Sequence, residues 1–212
     1  MTHPLGRVVE HDERSRDYPA MSVVPAAILP IRWAHYGTVL DQGDIGACTG
    51  FAMAQCLNSG RLHEGHRQLG ADDALALYSS ATRLDSVPGH YPPDDTGSSG
   101  LAVAKAAKAA GYIRSYTHAF GLQHLLGALQ LGPVIVGTNW YEGMDTLRDG
   151  FVSAVGSVRG GHEWVVLGWQ QGFLTGLNSW GPEWGLRGTF HIRTTDMDQL
   201  LHEHGDVTVP VR

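Results

Sequence analysis

Two cysteines, twelve histidines and one asparagine- and tryptophan-bearing turn are where this 212-residue chain could do covalent chemistry. Cys48 ends the run Gln42-Gly43-Asp44-Ile45-Gly46-Ala47, whose glycines mark a loop, and it heads a segment with helical spacing. A thiolate attacks carbonyl carbon, whereas a free thiol of pKa ~8.5 is mostly protonated at neutral pH. A helix N-terminus favours the anion, and a nearby imidazolium favours it further. His162, which opens an apolar strand after Gly160-Gly161, can supply that imidazolium and later protonate a leaving amine. Asn178 begins Asn178-Ser179-Trp180-Gly181-Pro182-Glu183-Trp184-Gly185 and can hold the other ring nitrogen, fixing the tautomer. Gln42 can aim its amide N–H at a developing oxyanion beside the Cys48 backbone N–H, a donor commonly worth ~3 kcal/mol of barrier. Taken singly, these are a packed thiol, a structural histidine, a turn asparagine and core tryptophans. Three such segments in this order have no common packing reason.

The elements that must position them follow from periodicity and punctuation. Residues 1–20 are polar, with Pro4 and Pro19, and read as an N-terminal arm ahead of a domain spanning 21–212. Phe51, Ala54 and Leu57 predict a helix behind Cys48, with Gly60 just past its end. Asp72 or Asp73 can cap a second helix carrying Ala74, Leu77, Tyr78 and Ala81. Ser98 or Ser99 starts an Ala-rich third helix ending at Gly111, and a short fourth runs near Leu122–Leu131. After Gly132-Pro133 the chain turns to strands at Val134–Val136, Glu163–Trp169, Gly172–Leu177 and Gly188–Arg193. Helices first and strands second predict an α+β fold, with a helical lobe over about 40–115 and a β lobe over about 116–200.

Composition narrows the function classes. Hydrophobic residues make up 42% and charged residues 17%, so the chain can bury a core and is not a disordered one. The net charge is −6, and Lys105 and Lys108 are the only lysines, so no basic stripe exists for nucleic acid. No apolar run approaches the ~18 residues of a membrane span, and the first residues lack the apolar core of a secretory signal. A cytoplasmic location is expected, with a phage-borne enzyme or release by lysis as alternatives. Cys48 and Cys56 on one helix would be ~12 Å apart, too far for a disulfide. Cys56, two turns on, reads as core. Glu163 follows His162, so strand alternation turns it to the opposite face, where a solvated or structural carboxylate is expected. His63-Glu64-Gly65-His66 lacks the i, i+4 histidine pair of a zinc helix, and His202-Glu203-His204 reads as a surface tail. No structural zinc and no organic cofactor are expected.

The three segments together resemble the papain-like (C1) cysteine peptidases. Their pattern is Gln-Gly-x-Cys-Gly-Ser-Cys-Trp, then Gly/Asn-His before a hydrophobic strand, then Asn-Ser-Trp-Gly-x-x-Trp-Gly, and this chain matches the last motif at every fixed position. Asp95-Thr96-Gly97-Ser98-Ser99 and Leu131-Gly132-Pro133-Val134 are similar to segments of bacterial-type members. The resemblance covers about Ile28 to Ile192. It implies a two-lobed fold with the site in the interlobe cleft and an antiparallel sheet or barrel in the second lobe. It also implies peptide-bond hydrolysis through an acyl-enzyme, with Cys48, His162, Asn178 and Gln42 as the catalytic set. Trp180, Trp184, Gly97 and Gly161 are then substrate contacts, with Trp184 an apolar wall on the leaving-group side. The partner is a peptide or protein substrate, and an inhibitor protein or assembly partner is a further candidate.

The chain also departs from the pattern. Ile45 replaces a disulfide cysteine, and Thr49 replaces the tryptophan after the nucleophile, which alters the cleft floor. About 25 residues precede the family-like region, too few to fold independently over the cleft. Restraint by location, assembly or a partner is therefore expected, with an arm lying in the cleft as the alternative. Rival functions for the same residues are cleavage of a peptidoglycan cross-bridge, acyl transfer to an amine, and a silent papain-like binding module.

Overall fold

The computed structural model describes residues 3–17, 19–20 and 27–212. Five helices are α1 (Cys48–Leu57), α2 (Ala71–Ala81), α3 (Gly100–Ala109), α4 (Gly121–Leu129) and α5 (Thr194–His202). Eight strands are β1 (Ile31–Arg32), β2 (Ser115–Ala119), β3 (Val134–Tyr141), β4 (Phe151–Val152), β5 (Val158–Gln170), β6 (Phe173–Leu177), β7 (Thr189–Arg193) and β8 (Asp206–Val211). They form one sheet in the order β2-β8-β3-β5-β6-β7-β4, with β1 on β5, antiparallel except for β4 beside β7.

The apolar run Trp164-Val165-Val166-Leu167 is continuous because β5 is covered on both faces. Val165 and Leu167 join Ile135 and the residues of α1, α2 and α3 in one cluster. Trp164 and Val166 join Val134, Val136 and the residues of α4 and α5 in a second. Successive side chains thus serve opposite layers, as a strand's period of two requires. All ten residues of α1 are buried, the mark of a helix enclosed on every side.

Several boundaries differ from the sequence reading. Gly70 caps α2, and Asp73 sits inside the first turn, returning its carboxylate to the Gly70 N–H at 2.8 Å. Ser99 is the α3 cap, accepting from Ala102 N–H at 3.1 Å. Four elements are additional: β2, β4, β8 and α5, the last a helix in the strand-rich half. His202-Glu203-His204 is no tail, because it ends α5 and turns into β8. The short apolar runs and prolines from Met21 to Leu40 suggest extended segments, and there β1 forms at Ile31–Arg32, while residues 21–26 lie outside the described residues.

Candidate active site

The loop before α1 is tied down from both sides. Gln42 N–H donates to the Ser179 carbonyl at 2.9 Å, and Gly46 N–H donates to Asp95 Oδ2 at 2.8 Å. Asp95 Oδ1 accepts from Tyr78 O–H at 2.5 Å, and Tyr78 Oη accepts from Gly97 N–H at 2.9 Å. Asp95 and Tyr78 therefore fix the distance between the Cys48 loop and the Gly97-Ser98 edge. Sequence reasoning gave neither a role, although Asp95 stood in a segment already singled out.

Cys48 is the first residue of α1 and is fully buried. The backbone N–H groups of Glu163, Gly6 and Thr49 hydrogen-bond to its sulfur. His162, one residue before Glu163 on β5, has its Nε2 2.7 Å from Asn178 Oδ1. That oxygen also accepts Ser179 N–H at 2.8 Å, so Nε2 must carry the proton and Nδ1 is the ring's basic nitrogen. Nδ1 is buried without a hydrogen-bond partner. Asn178 is held in turn by Gln55 of α1, whose Nε2 donates to the Asn178 carbonyl at 3.0 Å. Gln42 Oε1 accepts from Ser179 O–H at 2.6 Å, and its Nε2 donates to the Ile45 carbonyl at 2.8 Å. His162, Asn178 and Gln42 thus form one series through Ser179, and Cys48 adjoins it through the backbone N–H of Glu163, the residue after His162.

Aromatic rings wall the imidazole. The Trp140 and Trp180 ring centroids each lie 4.9 Å from that of His162, and Trp184 stands edge-on to Trp180 at 5.1 Å. Trp184 is half-buried, and Thr49 is buried within α1. Cys56 is core, its thiol donating to the Pro133 carbonyl at 3.6 Å. Both cysteines are free thiols. Among the described residues, no cluster of His, Cys, Asp or Glu could hold a metal. No helix of the described residues is long and apolar enough to cross a membrane.

The cleft is filled by the chain's own N-terminal arm. His3 stacks on Trp180 with centroids 4.5 Å apart, and the Pro4 carbonyl lies 3.4 Å from Gln42 Nε2. The Gly6 carbonyl accepts Ser98 N–H at 2.8 Å, and Val8 N–H donates to the Ser98 carbonyl at 2.7 Å, a parallel pairing. Arg7 N–H donates to the Gly161 carbonyl at 3.0 Å on the opposite wall. Gly97 and Gly161 make this approach available. A Cβ on Gly97, which has φ +71°, would fall 2.3 Å from the Gly6 carbonyl oxygen, and one on Gly161 would fall 2.2 Å from that of Arg7.

Burial under the arm sets the charge state. It pushes the Cys48 thiol up to about 12 and pulls His162 down to about 4, both shifts favouring the neutral form. Of the two alternatives for Glu163, solvated or structural, burial selects the structural one: the side chain is fully buried, and burial beside Asp206 pushes its carboxyl up. Alternation gave the face correctly. It could not show that the arm and β8 cover that face.

This architecture is the papain-like α+β fold of the C1 cysteine proteases: a helical N-terminal region, a mainly antiparallel sheet in the C-terminal region, and no disulfide. It matches xylellain, a cysteine protease from Xylella fastidiosa, with TM-score 0.75 and 18% identity over 99% of this chain and 96% of that one. Digestive procathepsin L 3 of Tenebrio molitor larval midgut matches with TM-score 0.68 and 17% identity, over 99% and 76%. Bromelain from Ananas comosus, in complex with the E64 inhibitor, matches with TM-score 0.63 and 14% identity, over 82% and 93%. No protein-family model matches the sequence, and no curated protein matches it.

Proposed function

We propose that this chain is a cysteine peptidase held latent by its own N-terminal arm. The reading is supported by the hydrogen-bonded series of His162, Asn178, Ser179 and Gln42, and by the Cys48 sulfur at the start of α1 against the backbone N–H of Glu163, next to His162. With the arm withdrawn, water reaches the sulfur and the ring, and the burial that keeps both neutral is lifted. The Cys48 thiol then passes its proton to His162 Nδ1, and the sulfur attacks the peptide carbonyl carbon. The oxyanion is met by Gln42 Nε2–H and the Cys48 backbone N–H, each such donor commonly worth ~3 kcal/mol. His162 protonates the leaving amine as the C–N bond breaks, leaving a thioester on Cys48. Water, deprotonated by His162, hydrolyses the thioester and returns the thiol. Asn178 keeps Nε2 protonated throughout, and Trp180 shields that hydrogen bond.

The arm inhibits by position and by direction. Its Pro4 carbonyl takes the Gln42 donor that an oxyanion needs. Trp180 and Trp184 mark the leaving-group side, where His3 lies, so the arm enters there and leaves past Ser98. A substrate runs the other way, with its acyl part toward Ser98 and its amine part toward Trp180. The arm's own peptide bonds are therefore presented backwards.

The test is turnover of a mixed peptide library by the Arg7→Ala chain, with and without a second substitution Cys48→Ala. Cleavage is expected in the first and none in the second, with an unchanged urea midpoint for Cys48→Ala. Turnover that survives in purified Cys48→Ala chain removes the assignment. Product masses in the presence of an added amine also separate hydrolysis from acyl transfer.

A further inference from the structure

We propose that Gln55 is a positioning residue whose buried amide ties the segments carrying Gln42 and Asn178 to the helix carrying Cys48, and so sets how the thiol meets the imidazole. The inference rests on the peptidase reading and names a residue that acts through the four already placed. Gln55 follows Cys48 by seven positions on α1. Seven residues make two turns with a drift of about 20°, so the two side chains leave one face of the helix about 10 Å apart. That face meets the second lobe twice. The Cys48 sulfur takes the Glu163 N–H of β5, and Gln55 takes the Asn178 carbonyl just after β6.

A fully buried amide is costly unless both of its ends are paired, and here both are. Gln55 Oε1 accepts Leu40 N–H at 3.0 Å, and Nε2 donates to the Asn178 carbonyl at 3.0 Å. These partners open a short ladder. The Leu40 carbonyl accepts Gly181 N–H at 3.1 Å, Asp41 bridges Trp180, and Gln42 N–H donates to the Ser179 carbonyl at 2.9 Å. Residues 40–42 and 178–181 are thus one unit, and Gln55 grips it from α1. Through Asn178 Oδ1 the unit holds His162 Nε2, and through Gln42 it carries the oxyanion donor. Displacing a reacting pair by about 1 Å can cost about 100-fold in rate.

Asn58, the C-cap of the same helix, supplies the contrast. It is also fully buried, and its side chain pairs both ways with the Leu69 backbone, donating to the carbonyl at 2.8 Å and accepting the N–H at 2.9 Å. Leu69 packs in the core of the helical lobe with α1 and α2. Removing either amide takes two hydrogen bonds from the interior. Removing that of Gln55 also frees the unit that holds His162.

The test uses the full Arg7→Ala chain and two additions to it: Gln55→Met, which keeps the volume, and Asn58→Leu. Alkylation of Cys48 across pH, mapped by mass spectrometry, gives the midpoint at which the thiolate forms. His3, Arg159 and Asp145 bear on the charge of His162, and Glu163 on that of Cys48, and all four are common to the three chains. With the pair loosened, Gln55→Met should raise the midpoint by at least about 0.5 unit, about a threefold loss of thiolate below it, while Asn58→Leu leaves it within about 0.2 unit. In peptide turnover Gln55→Met should lose at least about fivefold in kcat, with KM within about twofold. An unmoved midpoint in Gln55→Met, or an equal shift in Asn58→Leu, overturns the proposal. If Gln55→Met does not fold, Gln55→Asn, whose amide stands one methylene short of its partners, carries the comparison. A shift confined to Gln55→Met with no turnover by any chain keeps the positioning role and removes the peptidase. Turnover by all three chains with one midpoint does the reverse.

Discussion

Replacing Arg7 by alanine should open the cleft, by an amount that follows from what the side chain touches. In the docked arm its guanidinium meets Asp206 and the His204 carbonyl, beside a partnerless Glu163. Removing one partner of a buried ion pair costs about 3–5 kcal/mol. Asp206 keeps 19% of its side chain exposed, and both carboxylates regain water when the arm leaves, so we take about 2–3 kcal/mol here. At about 1.4 kcal/mol per decade, docking weakens roughly 30- to 150-fold. Alkylation of Cys48 near neutral pH, mapped by mass spectrometry, reads this directly. The sulfur is fully buried when the arm is docked, so labelling proceeds only through the open state, and its rate tracks the open fraction. Cys56 is equally buried in α1 and reports loss of the fold itself. Faster labelling confined to Cys48 is the expected outcome. A Cys48 rate within about twofold of the native chain refutes the reasoning, as does a parallel rise at Cys56.

Two further outcomes test the site's supports. Burial lowers His162 from 6.5 to about 4, so between those values the unfolded chain binds more protons; stability rises with pH there and is lost as pH falls through that window. Glu163, raised by burial, acts with the opposite sign as pH rises above 4.5, so the comparison is between native and His162→Gln chains. The native urea midpoint should fall more than the variant's between about pH 7 and about pH 5, and equal falls reject the shift. Asp95→Ala removes the acceptor for Gly46 N–H and Tyr78 O–H, costing about 2–4 kcal/mol in urea unfolding and speeding Cys48 labelling. A loss under about 0.5 kcal/mol shows that Asp95 does not brace the cleft.

The division between sequence and structure is physical. Helix α1 was legible because a glycine loop, a cysteine and apolar residues at helical spacing are local signals, and the central strands because an apolar run bounded by glycines has few other uses. Strands β2 and β8 were missed. Ser115–Ala119 and Asp206–Val211 carry weak patterns, and it is pairing with each other and with β3 that makes them strands. The four residues of the candidate site could be chosen because each lies in a short segment whose residue types fit one chemistry. Their hydrogen bonds could not, because Gln42 meets Ser179 across 137 positions and His162 meets Asn178 across 16.

What the sequence determined by itself is an α+β chain offering a thiol at a helix start, an imidazole at a strand and an amide in a tryptophan-rich turn. Only the tertiary structure decided that burial drives the thiol and imidazole toward their neutral forms, because the covering segment comes from the distant N-terminus. It alone also decided that Arg7 meets Asp206, 199 positions away, beside Glu163. Charges so far apart in the chain carry no shared local pattern, and their energies depend on the water excluded around them.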